Sequence, residues 1–116
     1  MLNGAMPRQK HDYGENHLHF LTPSTYRRVR LFDSEKFRRH WVQALGELRR
    51  ELGFKIAGYV LMPEHFHLLI WPSVAANPSQ ILQKLEGRTA LLILKQLKEN
   101  THRSWCRKML DQVRLW

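Results

Sequence analysis

Residues 59–72 read YVLMPEHFHLLIWP, and this stretch decides the fold that the sequence predicts. It contains two mostly apolar runs, which the residues MPEH separate. A proline and polar residues between two apolar runs are typical of a tight connection between strands. The stretch therefore predicts an antiparallel pair of strands, over residues 54–62 and His65–Trp71.

Two histidines stand one residue apart at the start of the second predicted strand. Because strand side chains alternate between faces, His65 and His67 would project from one face, and Phe66 and Leu68 from the other. If the apolar pair meets the core, the imidazoles lie on the open face, where each can give one nitrogen to a divalent metal. The alternative is that both histidines hydrogen-bond only to the backbone or to solvent.

The rest of the chain predicts a first strand of about six residues from His17 and two long helices. Asp33 can cap the first helix and Gly53 can end it, and Asn77 followed by proline begins the second helix. Residues 113–116 would begin a further strand. The predicted order is β-α-β-β-α-β, the ferredoxin-like α+β pattern of one antiparallel sheet with two helices on one face. We expect residues 1–16 to form a flexible leader and residues 17–116 to form the domain.

Composition narrows the class of partner. The chain has 116 residues, enough for one compact domain, and 19 Lys and Arg against 10 Asp and Glu give a formal net charge of +9. Such an excess favours nucleic acid, although a merely solvated basic surface is the alternative. The apolar runs fall short of the roughly 20 residues that a membrane span needs. One cysteine, Cys106, excludes an internal disulfide, and a cytoplasmic location is predicted.

The stretch MPEHFHLLIW resembles the metal-binding HUH motif of the IS200/IS605-type tyrosine transposases, in which histidine, a bulky hydrophobic residue and histidine follow a Met-Pro turn. It is closer still to their relatives associated with repetitive extragenic palindromes. HFLTPSTYRRVRLF is similar to the first strand of that family and its basic exit. LQKLEGRTALLILKQ is similar to the helix after the motif. The resemblance covers residues 17–116.

The resemblance implies DNA transposition by a divalent-metal enzyme that nicks and rejoins single-stranded DNA at hairpin ends. In this family a tyrosine hydroxyl attacks a phosphodiester and becomes linked to the 5′ phosphate, while the ion polarises the scissile phosphate. His65 and His67 match the two metal-ligand positions, with Mg²⁺ or Mn²⁺ as the expected ion. The expected partners are single-stranded or hairpin DNA and a second copy of the chain in a homodimer.

The nucleophilic tyrosine of the family lies on a helix well downstream of the histidine motif. The tyrosines of this sequence, Tyr13, Tyr26 and Tyr59, all precede it, and none matches that position. We therefore expect a chain that is truncated before the catalytic helix and does not cleave DNA alone. The alternative is a non-catalytic DNA-binding remnant that regulates an intact transposase. A small zinc protein without a role on DNA is a third interpretation.

Other candidate residues surround the motif in the sequence. Glu64 and His17 are further candidates, either as metal ligands or as residues that hydrogen-bond to the metal ligands. His17 also forms a second His-x-His pair with His19. Four imidazoles from two neighbouring strands would make a zinc site if the register allowed it. The candidate DNA-binding residues are Tyr26, Arg27, Arg28 and Arg30 after the first strand, and Lys84 and Arg88 on the second helix.

Overall fold

The computed structural model describes residues 17–111 and 115–116. The predicted leader, residues 1–16, therefore lies outside the described residues. Within them the elements follow in the order β1 (His19–Leu21), α1 (Glu35–Leu52), β2 (Lys55–Met62), β3 (His65–Trp71), α2 (Pro78–Glu99) and α3 (Ser104–Asp111), with short 3₁₀ turns at Tyr26–Arg28 and Leu31–Asp33.

The sheet is antiparallel and has the order β1-β3-β2, so β3 is central. Met62 pairs with His65 across the MPEH turn, and Val60 pairs with His67. On the other side of β3, Leu21 pairs with Leu68. This register confirms the predicted antiparallel pair and places the first strand beside the third, as the ferredoxin-like pattern requires.

One face of β3 forms the centre of the core. Phe66, Leu68 and Ile70 are each 0 % exposed, as the strand alternation predicts. Trp41 of α1 is also fully buried, and its ring centroid lies 5.0 Å from that of Phe66. Full burial of an apolar side chain of this size stabilises a fold by about 1.5–3 kcal/mol. The opposite face of β3, which carries the two histidines, is therefore the open one.

The capping residue of helix α1 lies one position later in the sequence than predicted. The Ser34 side chain, not that of Asp33, accepts the hydrogen bond from the Phe37 amide, at 3.3 Å. Asp33 instead accepts a hydrogen bond from the Arg30 guanidinium at 2.8 Å, so its carboxylate points away from the helix start. Gly53 ends the helix with a φ of 76°, a left-handed conformation that glycine adopts without the steric cost of a Cβ.

Helix α2 begins as the sequence predicts. The Asn77 side chain accepts from the Gln80 amide at 2.9 Å, and the Gln80 side chain accepts from the Asn77 amide at 3.0 Å, which completes a capping box. Ile81, Leu85 and Ile93 of the helix are fully buried in the same hydrophobic core as the inner residues of α1 and β3. Both long helices therefore cover the face of the sheet opposite the histidine pair.

Three further predictions concern the first strand, the last strand and membrane-spanning helices. The first strand is shorter than the predicted six residues, because it spans only His19–Leu21. Residues 113 and 114 of the last predicted strand lie outside the described residues, and its other two residues, Leu115 and Trp116, belong to no strand. Among the described residues, no helix combines the length and the apolarity that crossing a bilayer would demand.

Candidate metal centre and nucleic-acid interface

His65 and His67 point to the same place on the open face of the sheet. Their Nε2 atoms are 3.3 Å apart, and their rings are nearly perpendicular, with an interplanar angle of 86°. Two imidazole nitrogens bound to one zinc ion at about 2.0–2.1 Å in tetrahedral geometry would be roughly 3.3–3.4 Å apart. The spacing of the pair therefore fits two ligands of one cation.

Glu64 fixes which nitrogen of His65 faces that place. His65 Nδ1 donates to Glu64 Oε1 at 3.0 Å, and the two side chains are each only 19 % exposed. A neutral His65 that donates from Nδ1 has its lone pair on Nε2, the nitrogen that faces His67. The two Nε2 atoms lie within hydrogen-bond distance of each other, and a divalent ion bound by both would take the place of a shared hydrogen.

The pair supplies two ligands and no more. Across the residues that the structure describes, no group of three or more His, Cys, Asp and Glu side chains is arranged to hold a metal. Further ligands would come from water, from a substrate oxygen or from groups outside these residues. His67 Nδ1 is buried, and no described residue is its hydrogen-bond partner.

An apolar surround frames the pair. The Phe20 ring of β1 stacks on the His67 imidazole with a centroid distance of 5.4 Å and an interplanar angle of 6°. Val60 and Met62 of β2 pair with His67 and His65, respectively, and both are partly exposed. The sequence alone did not indicate Phe20, since its position next to His67 depends on the pairing between β1 and β3. A stacked ring restricts the imidazole to one orientation.

The segment 25–33, here called the arginine loop, is held against the MPEH turn by backbone hydrogen bonds. The Thr25 amide donates to the Glu64 carbonyl at 2.9 Å, and the Phe32 amide donates to the Pro63 carbonyl at 2.9 Å. Thr25 is buried, and its hydroxyl donates to the Val29 carbonyl at 2.6 Å. The residues after β1 are thus fixed beside the start of β3, where the histidine pair lies.

Two arginines of this loop face the Glu64 carboxylate. Arg28 donates to Glu64 Oε1 at 3.4 Å and to the Ser24 hydroxyl at 3.2 Å. An Arg30 nitrogen lies 4.0 Å from Glu64 Oε2, although Arg30 binds Asp33 more closely. The hydrogen bond with Asp33 raises the pKa of Arg30 further, so this guanidinium is always charged. Both arginine side chains remain more than 60 % exposed, at 62 % and 65 %.

The turn around Tyr26 has unusual backbone geometry. Arg27 and Arg28 have φ values of 52° and 53°, a left-handed conformation that side-chain-bearing residues rarely adopt. The Arg27 guanidinium lies over the Tyr26 ring, 5.3 Å from its centroid. Consecutive residues of this kind occur where the surrounding contacts hold them, and they cluster at functional sites.

The two candidates on α2 lie on the other layer. Arg88 donates to the two carboxylate oxygens of Glu51 on α1, at 2.5 and 3.0 Å, and contacts Glu47 at 3.5 Å. The hydrogen bond from Arg88 lowers the pKa of Glu51, as expected for a tight pair. Lys84 is exposed on the same helix. The structure therefore does not bring either residue to the histidine pair, and their contact with DNA stays a prediction.

The structure also separates His17 from the pair. His19 pairs with Ile70, five residues along β3 from His65, which corresponds to about 16 Å of strand, and His17 precedes it by two residues. By strand alternation His19 shares its face with Leu21, whereas Phe20 lies on the face of His67. This register does not assemble the four-imidazole site, and Glu64 remains the polar partner that contacts His65.

The two described tyrosines lie in different parts of the fold. Tyr59 pairs with Leu68, and its ring packs 5.2 Å from that of Trp41, on the side of the helices. Tyr26 lies in the arginine loop, and its amide donates to the Leu115 carbonyl at 2.9 Å. Tyr13 lies outside the described residues.

Comparison with known proteins places this geometry in a family. The family model described as "Transposase IS200 like" matches residues 12–112, most of the chain and the whole of the histidine motif. The chain belongs to the IS200-like transposase family. No curated protein matches this IS200-like chain.

Two solved structures share the fold of the IS200-like chain. One is a REP-associated tyrosine transposase bound to a REP hairpin, with a TM-score of 0.61 and 20 % identity over 75 % of this chain. The chain spans about half of that protein, 53 % of its length. The other is a candidate transposase from Deinococcus radiodurans, with a TM-score of 0.59 and 17 % identity, and the match covers 83 % of this chain and 71 % of that one. The TM-scores show a shared fold, and at such low sequence identity the likeness shows the fold alone.

Proposed function

We propose that this chain forms the metal- and DNA-binding part of an IS200-like transposase that acts on single-stranded or hairpin DNA. The observation that carries the proposal is the convergence of His65 Nε2 and His67 Nε2, 3.3 Å apart, on the open face of the sheet beside the arginine loop. A histidine pair and exposed arginines in one place suit a phosphodiester, whose oxygens bind both a cation and guanidinium groups.

Each group has a defined task in this proposal. His65 and His67 hold a divalent ion, Mg²⁺ or Mn²⁺, and the bound ion supplies Lewis-acid polarisation of the scissile phosphate. Glu64 keeps the Nδ1 hydrogen of His65 and thereby leaves Nε2 as the ligand atom. Arg28 and Arg30 contact backbone phosphates near the ion, and Tyr26 offers a ring on which an unpaired base stacks.

DNA binding with and without metal tests the proposal. A hairpin oligonucleotide with a single-stranded flank is titrated with the protein in EDTA and in Mn²⁺, and binding is followed by fluorescence anisotropy. We expect Mn²⁺ to tighten binding, and His67→Ala to abolish that increment. His102→Ala is the matched control, because His102 is exposed on the connection between α2 and α3, away from the motif. Equal Mn²⁺ effects in all three proteins would contradict the proposed metal centre.

A DNA-binding regulator without cleavage activity is the second candidate. The placement of the tyrosines favours it, since Tyr59 packs on the helix side of the sheet and Tyr26 is held in the arginine loop. We therefore expect no covalent product when the same hairpin is incubated with Mg²⁺ or Mn²⁺ and this chain alone. A 5′-linked protein–DNA adduct that depends on His65 and His67 would show that the chain is a complete nuclease.

The resemblance to the transposases also predicts a homodimer. Strand β2 pairs only with β3 among the described residues, and we propose its other edge as the surface that a second copy would contact. Sedimentation velocity of the purified protein, with and without hairpin DNA, tests this prediction.

A further inference from the structure

Glu64 stands between two groups that would bind different parts of a nucleic-acid complex. One carboxylate oxygen, Oε1, accepts from His65 Nδ1 at 3.0 Å and from Arg28 at 3.4 Å. The other, Oε2, lies 4.0 Å from an Arg30 nitrogen. The candidate metal ligand and the candidate phosphate-binding arginines thus share one negative charge.

The two sides of this contact differ in how firmly they are held. The Glu64 carbonyl accepts a hydrogen bond from the Thr25 amide at 2.9 Å, and the Glu64 side chain is only 19 % exposed. Arg28 is 62 % exposed and meets the carboxylate at the long end of hydrogen-bond distance. A phosphate in solvent can therefore draw Arg28 away, whereas Glu64 remains beside His65.

The charge that Glu64 offers to His65 affects the other ring nitrogen. A carboxylate that accepts the Nδ1 hydrogen raises the basicity of the imidazole and strengthens Nε2 as a metal ligand. A guanidinium on the same oxygen withdraws part of that effect, because it neutralises the carboxylate. Removal of the arginine from Glu64 thus strengthens the ligand, without movement of the histidine.

We propose that Glu64 couples phosphate binding by Arg28 and Arg30 to cation binding by His65 and His67. This inference rests on the proposed function of the histidine pair and adds to it a positioning residue that links the two ligands. When DNA phosphates bind Arg28 and Arg30, these arginines no longer neutralise the Glu64 carboxylate. Its full negative charge then acts on His65, so bound DNA raises the affinity of the histidine pair for the cation. By linkage, the cation raises the affinity for DNA by the same factor.

A double-mutant cycle on cation binding tests the coupling without DNA. Zn²⁺ is the probe, at one pH and ionic strength, and a chromophoric chelator competes for it. The site is defined as the Zn²⁺ binding that His67→Ala removes. Arg28→Gln, Glu64→Gln and the double variant complete the cycle, and circular dichroism confirms that each variant is folded.

Glu64→Gln should weaken Zn²⁺ binding about tenfold, the lower end of the effect of losing a carboxylate behind a metal-bound histidine. Arg28→Gln should strengthen binding about two- to fivefold when Glu64 is present, the size that an exposed ion pair supports. In the Glu64→Gln background the same change should have a clearly smaller effect. The matched control is the exposed pair Arg39–Glu35 on α1, at 2.8 Å, where Arg39→Gln and Glu35→Gln should leave Zn²⁺ binding unchanged.

The outcomes separate this inference from the proposed function. If His67→Ala abolishes binding but Glu64→Gln leaves it unchanged, the coupling is overturned and the metal site stands. The coupling is also overturned if Arg28→Gln has the same effect in both backgrounds, because direct repulsion between guanidinium and cation would then explain it. If His67→Ala removes no binding, the metal site and the coupling fail together.

A second arm adds DNA. With a saturating single-stranded oligonucleotide, the Zn²⁺ affinity of the wild-type protein should rise by a larger factor than that of the Glu64→Gln variant. Direct attraction between the cation and phosphate persists in both proteins, so only the difference reports on Glu64. Equal increases in the two proteins would overturn the coupling.

Discussion

Replacing Glu86 with glutamine should stabilise the protein at alkaline pH and have little effect at acidic pH. Glu86 lies on α2 and is partly buried, and this burial raises the pKa of its carboxyl group to about 7. The Trp116 indole donates to the Glu86 carbonyl at 2.9 Å and so packs beside this turn of the helix. Burial penalises the charged form, because water no longer solvates the carboxylate fully.

The direction of the pH dependence follows from proton binding. The ordinary pKa of the carboxyl is 4.5, and the folded value is about 7, so between these values the folded state holds more protons than the unfolded state. Stability therefore falls as the pH rises through this window, and the cost is fully present above pH 7. Each pKa unit corresponds to about 1.4 kcal/mol, so this shift sets an upper bound of roughly 3.5 kcal/mol on the cost. Since Glu86 is partly exposed, solvent screening reduces this cost, and we expect the charged carboxylate to destabilise the fold by about 1 kcal/mol.

Urea denaturation at pH 8 and pH 4 measures the effect. Glu86→Gln should raise the free energy of unfolding by about 1 kcal/mol at pH 8, and the gain should disappear at pH 4, where the wild-type carboxyl is neutral in both states. Glu99→Gln, at an exposed position near the end of the same helix, is the matched control and should show no such pH dependence. A Glu86→Gln gain that is absent at pH 8, or equally large at pH 4, would refute the assignment of the cost to this buried carboxylate.

Two further changes test other parts of the molecule. Thr89→Val should stabilise the fold by about 1 kcal/mol in the same urea assay, because the Thr89 hydroxyl is fully buried without a hydrogen-bond partner among the described residues; a loss of stability would contradict this. The double variant Arg28→Gln, Arg30→Gln should bind single-stranded DNA with a weaker salt dependence. The slope of log affinity against log salt should become shallower by about 1.4, which is about 0.7 for each lost phosphate contact. Arg49→Gln on α1 is the control and should leave the slope unchanged. An unchanged slope in the double variant would show that the arginine loop does not touch the DNA backbone.

The placement of the histidine pair could be predicted because the strand that carries it is central. β3 has a partner on both sides and one fully buried face, so a shift by one residue would bury His65 and His67 and expose Phe66 and Leu68. Such a shift is costly, and the alternation of apolar residues therefore determines which side the imidazoles take. The start of α2 was predictable for a similar local reason, since the Asn77 cap and Pro78 act within the first turn of the helix.

Other features depend on contacts that no local pattern contains. Ser34 and Asp33 are both good capping residues, and the competition of Arg30 for Asp33 decides between them. The stacking of Phe20 on His67 follows from the pairing of β1 with β3. Long-range pairing of this kind has to be observed, because a sequence pattern predicts the face of a residue and not its neighbour on the next strand.

The arginines illustrate the same limit. In the sequence, Arg28 and Arg88 are equivalent members of a basic chain with a formal net charge of +9. In the structure, Arg88 is 31 % exposed and bound to two glutamates of α1, so its charge already stabilises the contact between the helices. Arg28 is twice as exposed, and its only carboxylate neighbour within the described residues is Glu64, which also orients His65.

A phosphate that approaches the arginine loop therefore meets a guanidinium that it can take over at low cost, and the released carboxylate acts on the candidate metal ligand. Net charge attracts nucleic acid to the whole surface, but the pairing of each arginine determines where a phosphate can bind. The proposed cation site and the proposed contacts with the DNA backbone thus both lie at the start of β3. Since Arg28 and Lys84 lie on different layers of the fold, a charge-neutralising change at Lys84 should alter cation binding by the histidine pair far less than Arg28→Gln does, and an equal effect would mean that only the overall charge matters.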